Sequence, residues 1–156
     1  MIDIVIAMPH SSKIEIAEFE DLEDIIRLLE SVEVPTDDID PDFTRFYIIR
    51  HETEKRIIAC VGLELFTGTA LLRSFAVEPE FQGDEMGSSL IKRLLDDAFD
   101  AGSETVYVCA AKAPQFFWDK GFKGIDLDDV PYEIRESQLF TKDCPQVAAF
   151  VKKKVF

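Results

Sequence analysis

The sequence predicts an α/β (α+β) fold built on a mixed, mostly antiparallel sheet with one parallel strand pair and flanking helices. Three β-rich runs, residues 45–50, 56–66 and 70–77, follow one another with only short polar turns between them. This spacing is typical of an antiparallel meander. A helix predicted from about 86 to 101 then leads to an apolar run at 105–110. Because a helix connects them, the two strands on either side of it are expected to lie parallel.

The segment before the meander predicts a strand and a helix. Ile14, Ile16 and Phe19 alternate with polar residues, as in a half-buried strand. Asp21 is placed to cap the helix that follows, which ends before Pro35. The apolar face of this helix is predicted to comprise Leu22, Ile25, Ile26, Leu29 and Val32.

The segment after the crossover predicts shorter elements. A short helix ended by Gly121 is followed by a strand at 122–127, a short helix at 130–137 and a last strand at 147–155. No repeat or linker divides the chain, so residues 1–156 are predicted to form one domain. Within it, residues 1–12 contain one further candidate strand.

Composition restricts the function. The 156 residues carry a net charge of −14, which argues against binding to nucleic acid or to anionic membranes. No apolar run approaches the roughly 20 residues that span a bilayer. The first residues include Asp3 where a signal peptide carries positive charge, so a cytoplasmic protein is expected.

The metal-binding residue types are sparse. Three distant cysteines indicate neither a disulfide framework nor a metal site, and the two histidines form no ligand cluster. No metal cofactor is therefore expected.

The most informative segment links the third β-rich run to the crossover helix. It reads AVEPEFQGDEMGSSL and contains Gly83 and Gly87 at the predicted start of the helix. A helix N-terminus presents unpaired N–H groups and a partial positive charge, and glycine allows the backbone to approach a ligand closely. Such a loop suits a phosphate, although an ordinary turn between a strand and a helix has the same general pattern.

This segment resembles the central motif of the GCN5-related N-acetyltransferases, the GNAT superfamily, which reads V-x-P-x-[FY]-[QR]-G-x-G-[ILM]-G. The chain has matching residues at seven positions: Val77, Pro79, Phe81, Gln82, Gly83, Met86 and Gly87. The order of elements from about residue 13 to 156 is also similar to that of the family. The resemblance implies the GNAT fold, acetyl-CoA as co-substrate and a small-molecule amine as acceptor. Members often form dimers, so a homodimer is one expectation.

The resemblance also implies where acetyl-CoA binds. In the family the central strand splays from its parallel neighbour and pairs with the pantetheine arm, while amides of the following loop bind the pyrophosphate. The cofactor-binding residues implied in this chain are Phe75, Ala76, Val77, Gln82, Gly83, Asp84, Glu85, Met86, Gly87, Ser88, Ala110, Phe116 and Phe117. Cys109 lies on the parallel neighbour and is expected to be a small buried residue rather than a nucleophile.

The chain departs from the family pattern at two positions. Glu85 occupies the first glycine of the core pattern [QR]-x-x-G-x-[GA], and a carboxylate repels a pyrophosphate unless it points into solvent. Glu85 and its neighbour Asp84 therefore either weaken the loop or face outward without effect. Phe117 occupies the position of a Tyr that serves as general acid in many members, so the leaving thiolate must take its proton from water or from the amine.

Further segments narrow the resemblance to one subgroup. GLEL at 62–65, LLRS at 71–74, FFWDKGF at 116–122, DVPYEIRES at 129–137 and DCPQVAAF at 143–150 are similar to N-acetylglutamate synthase catalytic domains and to amino-acid acetyltransferases found with arsenic-resistance genes. The tail is closer to the latter.

An amino-acid acceptor requires a cation for its carboxylate. Arg73 provides a bidentate fork, and we expect it to share a strand face with Phe75. Glu64, on the preceding strand, is the candidate base acting through water. A structural cross-strand ion pair on a partly solvated face explains the two residues equally well.

Three functions therefore compete. The first is an acetyl-CoA-dependent N-acetyltransferase that acts on a small amino-acid-like substrate by direct attack. The second is an acetyltransferase for a polyamine or a protein amine, to which a protein of charge −14 is attractive. The third is a GNAT-fold protein with a degraded CoA loop that acts as a binding or regulatory module, as Glu85 and Phe117 would allow.

Overall fold

The computed structural model describes residues 13–83, 85–136 and 147–151. The strands are β1 (Glu15–Ile16), β2 (Arg45–Arg50), β3 (Ile57–Leu65), β4 (Thr69–Val77), β5 (Thr105–Cys109), β6 (Lys123–Ile125) and β7 (Val147–Val151). The helices are α1 (Leu22–Ser31), α2 (Met86–Asp100), α3 (Pro114–Asp119) and α4 (Tyr132–Arg135). The candidate strand within residues 1–12 lies outside the described residues, as does the end of the predicted last strand.

The strands form a seven-stranded sheet in the order β1-β2-β3-β4-β5-β7-β6. β4 and β5 run parallel, with Thr69 paired to Thr105 and Leu72 to Val108. β1 pairs with β2, and β7 with both β5 and β6, in antiparallel fashion. The predicted mixed, mostly antiparallel sheet with one parallel pair and flanking helices is confirmed.

The described residues fall into two compact units. The first contains those up to Gly62 together with Ser74–Leu94, and the second contains Leu63–Arg73 and those from Leu95 onward. β4 and α2 each contribute to both units. Each unit has its own apolar core, and each is described by itself below.

The core of the first unit lies between α1 and the sheet. Buried residues of this core are Ile25, Leu28, Leu29, Phe46, Ile48, Ile57, Cys60 and Ala76. Three of them, at i, i+3 and i+4 on α1, form the stripe expected of an amphipathic helix. Leu22 and Ile26 of the predicted face are less buried, whereas Leu28 is fully buried.

Two predictions for the start of this unit are wrong. Asp21 makes no side-chain cap to α1. Its carboxylate instead accepts hydrogen bonds from the Glu18 amide and from Arg50, both within reach because a short 3-10 turn precedes the helix. Phe19 lies in that turn rather than on a strand, and it is 77% exposed.

The core of the second unit combines β5, β7 and the segment after α3. Its buried members are Leu71, Tyr107, Val130, Ile134, Val147 and Ala149. A chain of aromatic contacts runs beside it, from Phe116 through Phe117, Phe122 and Phe150 to Phe99, with centroid separations of 5.3–5.9 Å. These rings give the unit large apolar bulk at its helix-to-sheet contacts.

Gly121 is required where α3 turns back toward this aromatic chain. Its φ is 101°, and a Cβ at this position would lie 3.0 Å from the Phe150 ring. The left-handed backbone and the close ring both disfavour a larger residue. Among the described residues, no helix is long and apolar enough to cross a membrane.

Candidate functional site

The candidate anion loop, residues 78–87, leaves β4 along a hydrogen-bonded path. The Glu78 amide donates to the Ile58 carbonyl at 2.9 Å, and Pro79–Phe81 form a 3-10 turn. Phe81 is 9% exposed and meets the His51 ring edge-on at 5.8 Å. The Gln82 side-chain amide then donates to the Val77 carbonyl at 2.9 Å, which fastens the loop to the end of its own strand.

Two residues of the anion loop have left-handed backbone. Gly83 has φ 94° and Glu85 has φ 68°, so Glu85 adopts the conformation that glycine normally supplies at this position. The Glu85 side chain is exposed to solvent. Of the two possibilities left by the sequence, this exposure agrees with an outward-facing Glu85. Asp84 lies outside the described residues.

The anion loop ends at the first turn of α2. The Ser89 amide donates to the Glu85 carbonyl at 3.0 Å, which makes Glu85 the residue preceding the helix. The amides of Met86, Gly87 and Ser88 are therefore the first-turn donors that an α-helix leaves without intrahelical partners. Met86 is 1% exposed and anchors this turn. A 15-residue helix with such an N-terminus suits an anion.

β4 continues well past its last pairing with β5. The parallel ladder runs from Thr69 to Leu72, and the strand extends to Val77. Ser74, just beyond the ladder, has φ 53°. Left-handed backbone within a strand interrupts side-chain alternation, as at a β-bulge.

The left-handed backbone at Ser74 bears on two expectations for β4. Alternation from Arg73 to Phe75 does not hold through a left-handed residue, so a shared face for these two side chains does not follow. Phe75, Ala76 and Val77 lie beyond the ladder, where the pantetheine arm was expected to pair. The Val77 carbonyl already accepts the Gln82 amide, although a carbonyl can accept a second hydrogen bond.

Glu64 and Arg73 meet within the second unit. Arg73 Nη1 donates to Glu64 Oε2 at 3.3 Å, and the two side chains are 3% and 6% exposed, respectively. They form the cross-strand pair that the sequence allowed, but on a buried rather than a partly solvated face.

The second unit also contains the remaining predicted cofactor residues. Ala110 is fully buried at the end of β5, and its carbonyl accepts the Ala113 amide at 3.1 Å. Phe117 is 3% exposed and packs edge-on against Phe116 and Phe122. No hydroxyl is present at Phe117 to serve as an acid, and its burial is that of a core residue.

The cysteines differ from expectation. Cys109 is disulfide-bonded, which the odd number and wide spacing of the cysteines did not indicate. Cys60 is a free thiol in the core of the first unit, and its Sγ lies 3.4 Å from the Ser74 carbonyl. Burial raises the pKa of Cys60 to about 12, so it is a structural thiol.

The first unit thus brings together Phe75–Val77 with Gln82, Gly83 and Glu85–Ser88 around one strand end and one helix start. The second unit holds the Glu64–Arg73 pair, Ala110 and the two phenylalanines. Sequence reasoning missed Arg56, whose guanidinium contacts Glu78 at the entry to the anion loop. One signal in the sequence was the charge of the anion loop, which contains four acids and no Lys or Arg and therefore needs a cation from elsewhere in the chain.

The strand order and the loop between β4 and α2 define the class of fold to which the protein belongs. Residues 13–120 match the model of the Acetyltransferase (GNAT) family. The chain therefore belongs to the GNAT family, as the loop motif predicted.

Individual relatives agree with this assignment. The chain is 24% identical over 140 residues to an amino-acid acetyltransferase of Mannheimia succiniciproducens, and the match covers 84% of this chain and 31% of that protein. The chain thus spans about a third of the length of the curated relatives it matches.

Two solved structures share the fold. N-acetylglutamate synthase from Neisseria gonorrhoeae, complexed with coenzyme A and N-acetyl-glutamate, superposes with a TM-score of 0.78 at 17% identity, covering 92% of this chain and 36% of that one. A GNAT-family acetyltransferase from Staphylococcus aureus superposes with a TM-score of 0.75 at 17% identity, covering 90% of this chain and 99% of that one.

Proposed function

We propose that this chain is an acetyl-CoA-dependent N-acetyltransferase acting on the amine of a small amino-acid-like substrate. The observation that carries the proposal is the backbone of the anion loop. Gly83 and Glu85 both have left-handed φ, and the loop delivers the chain directly into the first turn of α2. Glu85 therefore adopts the left-handed backbone that glycine normally supplies, which supports a pyrophosphate site in this loop.

The residues fit coenzyme A at three places. Amides of Met86, Gly87 and Ser88 would bind the pyrophosphate, together with the backbone of the Gln82–Glu85 segment. Phe75, Ala76 and Val77 would pair with the pantetheine arm by strand addition. In the second unit, Ala110, Phe116 and Phe117 are the apolar residues that the family resemblance assigns to the cofactor.

Acetyl-CoA supplies an acetyl thioester, which the neutral amine attacks directly as the carbon–sulfur bond breaks, the nitrogen loses a proton and the thiolate gains one. Phe117 has no proton to donate, so the leaving thiolate would take its proton from water or from the amine. We propose that Glu64 accepts the ammonium proton through water and that Arg73 binds the acceptor carboxylate.

Relatives support the substrate class. The amino-acid acetyltransferase name and the N-acetyl-glutamate in the Neisseria synthase structure describe those proteins, and they make an amino-acid acceptor the first class to test. The net charge of −14 favours a second candidate, a cationic acceptor such as a polyamine, because opposite charge raises the encounter rate.

The deciding experiment is calorimetric titration of the purified chain with acetyl-CoA at two salt concentrations, followed by an acceptor panel. We expect one-to-one binding that weakens with salt, and thiol release with glutamate-like acceptors. Arg73→Lys should raise KM for carboxylate-bearing acceptors and leave any polyamine activity unchanged. Absence of binding at millimolar acetyl-CoA would contradict the proposal and favour a binding module.

A further inference from the structure

Arg56, immediately before β3, holds three carboxylates within the first unit. Its Nε and Nη2 donate to the two oxygens of Glu78 at 3.0 and 2.8 Å, which is a bidentate pair. Nη2 also lies 3.6 Å from Glu80, and Nη1 donates to Glu54. Glu78 is the better shielded partner, with a side chain that is 14% exposed against 70% for Glu80.

Glu78 is the point at which the anion loop leaves the sheet. Its amide is bound to the Ile58 carbonyl of β3, and its carbonyl accepts the Phe81 amide at 2.9 Å. With the bidentate contact from Arg56, the main chain and the side chain of Glu78 are both fastened beside the start of β3. The direction in which the loop departs from β4 is set at this residue.

The charge of the anion loop creates a second requirement. Residues 78–87 contain four carboxylates and no Lys or Arg, yet the proposed ligand is a pyrophosphate. Hydrogen bonds from Arg56 hold the pKa of Glu78 below its usual range, so this carboxylate stays ionised and its charge is compensated locally. The electrostatic fields of Arg27 and His51 also lower the pKa of Glu78. The compensation comes from outside the loop.

We propose that Arg56 is a positioning residue for coenzyme A. By pairing with Glu78, and more weakly with Glu80, it fixes the entry of the anion loop to β3 and cancels part of the loop's negative charge. The inference rests on the proposed use of this loop by acetyl-CoA. It assigns to Arg56 no contact with the ligand.

Arg50 provides a matched control. It also pairs with two carboxylates of the first unit, Glu15 at 3.3 Å and Asp21 at 2.7 Å, and its side chain is 28% exposed against 29% for Arg56. Neither of its partners belongs to the anion loop. Arg50 Nη1 also donates to the Lys55 carbonyl at 3.4 Å, next to Arg56. Arg50→Met therefore removes a comparable ion-pair network without removing a contact to the anion loop.

The test compares Arg56→Met, Arg56→Lys and Arg50→Met by coenzyme A titration at low and high salt. We expect Arg56→Met to weaken binding about three- to tenfold at low salt, with KM for acetyl-CoA rising and kcat changing little. Arg56→Lys keeps the positive charge but not the bidentate contact with Glu78, so its binding should be weakened less than that of Arg56→Met. Arg50→Met should bind like the unaltered chain. Equal losses in Arg56→Met and Arg50→Met, or no loss in either, would overturn the proposal.

Hydrogen exchange of the ligand-free chain separates this inference from the proposed function. Arg56→Met should speed amide exchange in residues 79–87, and Arg50→Met should not. If the unaltered chain fails to bind coenzyme A, the proposed function fails, and exchange alone decides whether Arg56 fastens the loop. Unchanged exchange in Arg56→Met would then overturn the inference as well.

Discussion

Two arginine–glutamate pairs in this protein use the same groups in different surroundings. Arg56 contacts Glu78 through two nitrogens at 2.8 and 3.0 Å, with side chains 29% and 14% exposed. Arg73 contacts Glu64 at 3.3 Å, with side chains 3% and 6% exposed. The Arg56–Glu78 pair, which has two short hydrogen bonds, is thus the more exposed one. The Arg73–Glu64 pair has the longer contact and is buried.

The difference indicates what each pair can do. Charges removed from water lose their hydration, so a buried pair contributes little net stability. Removing one partner is nevertheless strongly destabilising, because the other charge stays buried without compensation. Charges at a half-exposed site are screened, contribute little to folding, and remain available to shape the local field. Breaking the Arg73–Glu64 pair is accordingly expected to lower stability much more than breaking the Arg56–Glu78 pair.

The largest effect is expected when the buried pair is broken. Arg73→Met and Glu64→Gln should each lower the free energy of unfolding by about 3–5 kcal/mol, because each leaves a charged or polar partner buried without its contact. The double variant Arg73→Met/Glu64→Met should cost less than either single change. Urea unfolding measures all three, and a double variant that costs the sum of the singles would contradict a coupled buried pair.

The half-exposed pair should respond differently to the same substitution. Arg56→Met is expected to lower the urea midpoint much less than Arg73→Met. Salt at 0.5 M, with a screening length on the order of 4 Å, should remove most of the effect of Arg56→Met. The effect of Arg73→Met should persist in salt because the two side chains are only 3% and 6% exposed, so that ions in bulk solvent screen their interaction weakly. If salt suppressed both effects equally, the contrast in burial would not govern their energetics.

This contrast in burial is the part of the site that the sequence did not predict. Alternation and spacing placed Glu64 and Arg73 on adjacent strands, because a period of two reports which residues share a face. The same pattern does not report how far a face is covered, since that depends on chain segments distant in sequence. The pair was therefore expected on a partly solvated face and lies on a buried one.

The fold was predicted more completely than its irregularities. Strand order followed from short turns and one crossover, which are local features. Local residue patterns of this kind do not predict the left-handed backbone of Ser74 and Glu85, because it depends on the irregularity in β4 and on the start of α2. Asp21 shows the same limit, since a cap-type residue beside a helix found better partners in Arg50 and the Glu18 amide.

Acidification should remove a contribution from the half-exposed pair. Arg56 lowers the pKa of Glu78 from its ordinary 4.5, so this contribution is present above that value and is lost as pH falls through the lower folded-state pKa. Stability of the unaltered chain should therefore approach that of Glu78→Gln as pH falls below about 4.5. Urea midpoints from pH 7 downward test this, with Glu15→Gln as a matched change outside the loop. A constant gap between the unaltered chain and Glu78→Gln would contradict the pKa shift.

Glu85 extends the comparison to an exposed carboxylate and carries the smallest expected effect. Lying just before the first turn of α2, its charge interacts favourably with the helix N-terminus, so Glu85→Gln should lower the stability of the ligand-free chain by about 0.5 kcal/mol. The same change should strengthen coenzyme A binding at low salt, because the carboxylate no longer competes with the pyrophosphate for that positive end. Glu85→Gly also removes the strain of a left-handed non-glycine residue, which stabilises the folded chain. The greater conformational freedom of glycine in the unfolded chain offsets this gain. Opposite signs for stability and affinity in Glu85→Gln would identify this carboxylate as a stand-in anion, whereas unchanged affinity would place its charge out of reach of the ligand.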